Sequence, residues 1–189
     1  MESILLSATV IWRRVLDNAS FELCRLHRSD DTFQLSGTIL AVHEKEPLEV
    51  SYQVLCDINW RTREVIIRQS KGVERSELKL SVDDGTWQEA DGKVISEIAD
   101  CIDVDIEFTP STNALPINRL NLAVGESGEI GAAWIRLPSL MIVHARQRYD
   151  RLSENTYRYT SVASAFQAKI EVDRFGLPIR YGNIWERIT

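Results

Sequence analysis

The segment CIDVDIEFTPSTNALPINRL, Cys101 to Leu120, joins a strand, a turn and a short helix. In its first part Cys101, Asp103, Asp105 and Glu107 share one face of an extended chain. Ile102, Val104, Ile106 and Phe108 share the other. Thr109-Pro110-Ser111-Thr112-Asn113 is a proline-bounded turn. Three carboxylates on one strand face repel one another, so either water screens them or a pocket uses them.

The residues after the turn read as a helix. Thr112 or Asn113 can act as its N-cap, and Pro116 is tolerated in a first turn. Leu115, Ile117, Leu120 and Leu122 place apolar side chains around most of the circumference, which predicts a buried helix. Gly125 and Gly128 are expected to end it.

Outward from this segment the pattern is strand after strand. Phe21–Arg28, Thr32–Val42, Leu48–Cys56, Arg63–Gln69 and Ser76–Val82 alternate, and Asp84-Gly85 turns the last into Thr86-Trp87. Asp91-Gly92 is a second hairpin signal. Beyond Glu129 the strands are Ile130–Leu137, Leu140–Tyr149, Thr156–Ser161, Ala165–Asp173 and Leu177–Trp185, the last two joined around Phe175-Gly176. The expected fold is mainly β: a large antiparallel, many-stranded sheet or incomplete barrel wrapped around one short buried helix. No repeat or flexible linker interrupts residues 1–189, and a single domain is expected.

The chain has 189 residues, 44% hydrophobic and 26% charged, enough to bury a sizeable core. Its net charge of −6, from 28 acidic and 22 basic residues, disfavours nucleic acid and anionic membrane surfaces as partners. Cys24, Cys56 and Cys101 form no CxxC pair and are expected to be buried, reduced thiols, which points to a cytoplasmic protein. The N-terminal stretch MESILLSATVIWRR lacks the form of a signal peptide. Without a leader, the Asn18-Ala19-Ser20 sequon carries no expectation of glycosylation, and no transmembrane segment is expected. His27, His43 and His144 are scattered, Gly125-Glu126-Ser127-Gly128-Glu129 is not a nucleophile elbow, and no phosphate loop occurs. Neither a cofactor nor a metal site is therefore expected.

Three groups of residues are candidates for a site, each with an ordinary alternative. Asp103 and Asp105, about 6.5–7 Å apart on one strand face, suit sugar hydroxyls or acid/base chemistry; the alternative is a solvated outer face. Asp57, Trp60 and Arg61 suit sugar stacking and hydrogen bonding; the alternative is a closed turn. Tyr149, Tyr157 and Tyr159 can line a cavity or pair across strands.

These residues, taken in order, resemble the bacterial glycolipid-binding family, formerly a domain of unknown function. The resemblance is carried by Glu22-Leu23-Cys24-Arg25, by Tyr52 with Cys56-Asp57 and Trp60-Arg61-Thr62-Arg63, and by Asp105 with Thr109 to Ile117. Tyr149, Tyr157-Arg158-Tyr159, and Asp173 with Gly176-Leu177 and Tyr181 complete it. It implies a many-stranded sheet about one helix, a distant likeness to bacterial lipoprotein carriers, an acidic head-group pocket and tight homodimers. Glu107 stands where the family pattern has a smaller residue.

The leading expectation is a non-enzymatic binding protein for a glycolipid or similar amphipathic small molecule, connected to glycolipid or cell-envelope metabolism. Asp103, Asp105 and Asn113 would receive the head group, Arg61 and Arg119 would balance the acids, and the Tyr and Trp residues would line the approach. The alternatives are a hydrolase or isomerase acting on a glycoside through paired carboxylates, and a ligand-free dimeric interaction module.

Overall fold

The computed structural model describes residues 7–16 and 20–189. Residues 1–6 of the N-terminal stretch and Asn18 of the sequon lie outside the described residues. The first half of the chain supplies β1 (Ser7–Arg14), β2 (Phe21–Arg28), β3 (Thr32–His43), β4 (Glu46–Asp57), β5 (Thr62–Lys71), β6 (Glu74–Asp83) and β7 (Thr86–Glu89). The second half supplies β8 (Asp103–Ile106), α1 (Ala114–Leu120), β9 (Ser127–Ile135), β10 (Ile142–Ser153), β11 (Thr156–Ser161), β12 (Gln167–Val172), β13 (Pro178–Tyr181) and β14 (Trp185–Arg187).

All these strands belong to one sheet, ordered β7-β6-β5-β4-β3-β2-β1-β14-β13-β12-β11-β10-β9-β8. Chain neighbours pair as hairpins, which are local and need only short turns. Two joints depart from that rule. β1 pairs with β14, joining residues from opposite ends of the chain, with Trp12 opposite Arg187. β8 runs parallel to β9, with Asp103 opposite Ala132. The expectation of a wholly antiparallel sheet is corrected there, because α1 and its connections supply the crossover that a parallel pair requires.

Alternation decides which side chains turn inward. Along β3, Phe33, Leu35, Ile39 and Ala41 are buried, and β4 matches them with Leu48, Val50, Tyr52, Val54 and Cys56. Gly37 belongs to the same buried row, and a Cβ there would lie 2.5 Å from the Tyr52 ring. The glycine makes room for the tyrosine.

The sheet curls without closing. Its edge strand β8 comes back against β5, and the Thr62 N–H donates to the Ile102 carbonyl (3.3 Å). Consequently β8 has protein on both faces. Val104 and Ile106 join the larger core with Trp12, Leu35 and Ile67. The helix lies between the two cores: Ala114 and Leu115 join the larger one, while Ile117 packs with Tyr149, Tyr157 and Ile170 in the smaller.

Several local expectations are corrected. The acidic strand covers only Asp103–Ile106, because Phe108 turns the chain with a φ of +64°. Asn113 occupies the N-cap position after a 3₁₀ turn, Ser111–Asn113, but makes no side-chain cap; its amide serves other partners. The helix ends at Leu120, where Asn121 adopts left-handed geometry (φ +43°), before either expected glycine. Asp91-Gly92 turns the chain, but only an isolated bridge between Gln88 and Val94 follows it. The run Leu177–Trp185 contains a turn and divides into β13 and the start of β14. β1 was not expected at all; the polar and apolar residues of Ser7–Arg14 alternate less cleanly than those of β3. All three cysteines are buried and form no disulfide with one another.

Candidate functional site

A two-part cleft lies where β8, its following turn and the β10–β14 region meet. The smaller compartment, about 170 Å³, is polar: Arg14, Asp105, Glu107, Thr109 and Asn113 line it beside Phe108 and Trp185. The larger, about 350 Å³, is lined by Trp134, Val143, Ala145 and Phe166, with His144, Arg146 and Gln147 among its polar residues. Asp105, Tyr159 and Tyr181 line both. The two compartments thus adjoin at these three residues.

Asp105 forms the shared floor. Its carboxylate accepts hydrogen bonds from Gln147 Nε2 (2.6 Å) and Thr112 Oγ1 (3.2 Å). Burial pushes its pKa up to about 6, the Gln147 and Thr112 hydrogen bonds oppose that rise, and the Glu107 charge adds to it. Glu107 Oε2 accepts from the Leu137 N–H (2.8 Å) and from Arg136 Nε (3.3 Å). Two acidic residues therefore line one small compartment.

Asp103 has a different role despite sharing the strand face. It is 1% exposed and receives a forked pair of hydrogen bonds from Arg119, with Nη2 2.6 Å and Nε 3.0 Å from its oxygens. Burial raises its pKa, and the guanidinium opposes that rise. The ion pair fastens α1 to β8. Asp103 is not part of either compartment's lining.

The other expected residues divide similarly. Asn113 and Tyr159 line the polar compartment with Asp105. Tyr149 stands behind them; its hydroxyl donates to Asn113 Oδ1 (2.9 Å), and its ring meets Tyr159 edge-on. Tyr157 is buried in the smaller core beneath the Arg151 guanidinium. Asp57 closes the β4–β5 turn by accepting from the Asn59 and Arg61 N–H groups and pairing with Arg63. Trp60 stacks on Phe33 at 4.0 Å. Arg61 is exposed and lines neither compartment; its charge opposes the rise in the pKa of Asp103. The structure therefore separates the Asp57/Trp60/Arg61 group from the cleft.

A buried acid also stands behind the cleft. Glu22 is 0% exposed, and its Oε1 accepts from the Tyr52 hydroxyl. Tyr52 OH is 2.8 Å from Ser111 Oγ, which is 2.6 Å from Thr109 Oγ1 at the polar compartment. A chain of hydroxyls thus runs from the cleft to a carboxyl in the core. Burial pushes Glu22 up to about 7, against hydrogen bonds from Thr109, Tyr52 and Ser111. Sequence reasoning missed Glu22. The available signal was its parity with Cys24 and Leu26, which places a carboxyl in a buried apolar row.

Together these features define a wrapped β-sheet protein with two adjoining compartments, one lined mainly by polar and one mainly by apolar residues. Residues 9–187 match the family described as "Putative glycolipid-binding", and the chain belongs to that family. The crystal structure of a DUF1089 family protein from Pseudomonas aeruginosa superimposes with a TM-score of 0.83 at 35% sequence identity. The match covers 89% of this chain and 92% of that one. Among curated proteins nothing matches. The sheet wrapped around one helix, implied by the family resemblance, is present. No helix among the described residues is long and apolar enough to cross a membrane.

Proposed function

We propose that the chain binds a glycolipid, or an amphipathic molecule of the same chemistry, across both compartments of the cleft. The observation that carries this reading is the shared floor: Asp105, Tyr159 and Tyr181 line both the polar and the apolar compartment. A ligand with a hydroxyl-rich head and an apolar tail would meet both environments at once. Asp105 and Glu107 would accept hydrogen bonds from head-group hydroxyls, with Asn113 beside them. Trp134, Val143, Ala145 and Phe166 would cover the tail.

Asp103 and Arg119 support the floor in this reading, and Tyr149 orients Asn113. The protein acts as a cytoplasmic, homodimeric carrier or receptor, without turnover. Monomeric octyl glucoside serves as a probe, by calorimetry and by native mass spectrometry. It should bind the full chain, and Asp105→Asn should weaken it about tenfold by replacing one carboxylate acceptor. Ala145→Trp should abolish binding of the alkyl glycoside by filling the apolar end. Failure of octyl glucoside and longer-chain glycolipids to bind would overturn the proposal. So would hydrolysis of such substrates lost in Asp105→Asn, which would favour an enzyme using Asp105 and Glu107.

A further inference from the structure

We propose that Asp100, Cys101 and His144 form a binding site for a divalent transition-metal ion of the zinc type. The neighbours Asp100 and Cys101 lie far in sequence from His144, yet the donor atoms of all three lie within 4.8 Å of one another. Asp100 and Cys101 follow the 3₁₀ turn Ser96–Ile98, and His144 projects from β10. An ordinary surface ion pair explains part of this, because His144 Nε2 lies 3.0 Å from Asp100 Oδ1. It explains neither Cys101 nor the residue beneath all three.

That residue is Gly131. A Cβ added there would lie 2.9 Å from His144 Nε2, 3.4 Å from Asp100 Oδ2 and 3.5 Å from Cys101 Sγ. The donor atoms therefore surround the space where a side chain is missing. The backbone on both sides is fixed. The Cys101 N–H donates to the Ile98 carbonyl (3.0 Å), and Trp87 Nε1 donates to the Cys101 carbonyl (2.8 Å). On the other side the β9–β10 ladder holds Gly131 opposite Arg146 and His144 opposite Ala133.

The donor set selects the ion. A thiolate, an imidazole and a carboxylate suit zinc or cobalt(II), whereas magnesium and calcium take oxygen ligands. Tetrahedral bonds of zinc length to S, N and O would set the donors about 3.3–3.6 Å apart. Asp100 is exposed and His144 half-buried, so rotation of their side chains would bring their donor atoms to such distances from Sγ and from each other. Three protein ligands leave one coordination position for water or a ligand. His144 also lines the larger compartment of the cleft, so the ion would sit at its rim. Binding requires the thiolate, so the Cys101 proton passes to solvent and affinity rises with pH.

Cobalt(II) tests this directly on the full chain after chelator treatment. One equivalent should produce a near-ultraviolet thiolate-to-metal band, and zinc should displace it. Cys101→Ser should lose that band. His144→Ala and Asp100→Asn, at positions that tolerate change, should weaken binding at least about tenfold. Gly131→Ala is the sharpest variant: it removes no donor but fills the point of convergence, and it should prevent binding while circular dichroism stays unchanged. No thiolate band and no zinc uptake at one equivalent would overturn the proposal. Equal affinity in wild type, His144→Ala and Gly131→Ala would overturn it as well. None of these readouts depends on the glycolipid reading.

Discussion

Glu22 shows how one residue can set the pH response of a fold. Its pKa rises from 4.5 to about 7, because burial penalises the charged form. The folded state therefore holds a proton that the unfolded chain releases near pH 4.5. The stabilisation is complete below that value and is lost as pH rises through about 7. The difference in stability between wild type and Glu22→Gln, from urea titrations, should change by about 3 kcal/mol between pH 4 and pH 8. Parallel stability curves would show that Glu22 ionises as freely as in water. Asp105 shifts in the same direction in both proteins and cancels in the comparison. Gly37 guards the same hydroxyl chain. Gly37→Ala would drive a methyl group against the Tyr52 ring, and a loss of about 1–3 kcal/mol is expected by thermal melts. An unchanged melting temperature would mean that the ring has room to move.

The element that organises the cleft is α1, and its hold on β8 is ionic. Arg119 of the helix grips Asp103 of the strand with both partners largely out of water. Asn118 grips the turn on the other side, donating to the Phe175 carbonyl (2.8 Å). Gly176 is required there, with a φ of +75° and no room for a Cβ beside the Asn118 amide. Arg119→Ala would leave Asp103 buried and unpaired, at an expected cost of about 3–5 kcal/mol. Replacing both partners, as Asp103→Leu with Arg119→Met, should cost much less. Equal losses in the single and double variants, measured by urea unfolding, would argue that the pair is not what fastens the helix. The helix itself was readable from its apolar residues and Pro116. Its early end was not, because Asn121 supplies the left-handed residue that the two later glycines had suggested.

At the scale of the molecule, the β1–β14 seam holds the two halves of the sheet together. Trp12 Nε1 donates to the Pro178 carbonyl across it (2.6 Å). Arg187 reaches Asp173 (2.8 Å) and the Leu177 carbonyl (2.7 Å). The seam also brings Arg14 of β1 and Trp185 of β14 to the polar compartment. Deleting residues 185–189 should therefore remove both the joint and one wall of the cleft. The expected result is a weakened near-ultraviolet circular dichroism signal and a broad, early melt. A truncated chain that melts sharply at the wild-type temperature would show that the halves do not depend on the seam.

Alternation along β3 and β4, and the Asp84-Gly85 turn with φ values of +45° and +77°, are local stereochemistry. The sequence alone therefore determined that this chain makes many hairpins around one apolar helix. Alternation says which residues share a face, but not what that face meets. Asp103, Asp105 and Glu107 alternate in the sequence and have three fates: an ion pair with the helix, the lining of a cleft, and an acceptor for the Leu137 N–H. Tertiary structure alone decided this by folding β8 back against β5, where both faces of the strand meet protein. It likewise decided the burial of Glu22, since Tyr52 and Ser111 approach it only when β4 and the β8–α1 turn pack together. Burial strength and charge pairing depend on such distant neighbours, whereas hairpin geometry depends on adjacent residues.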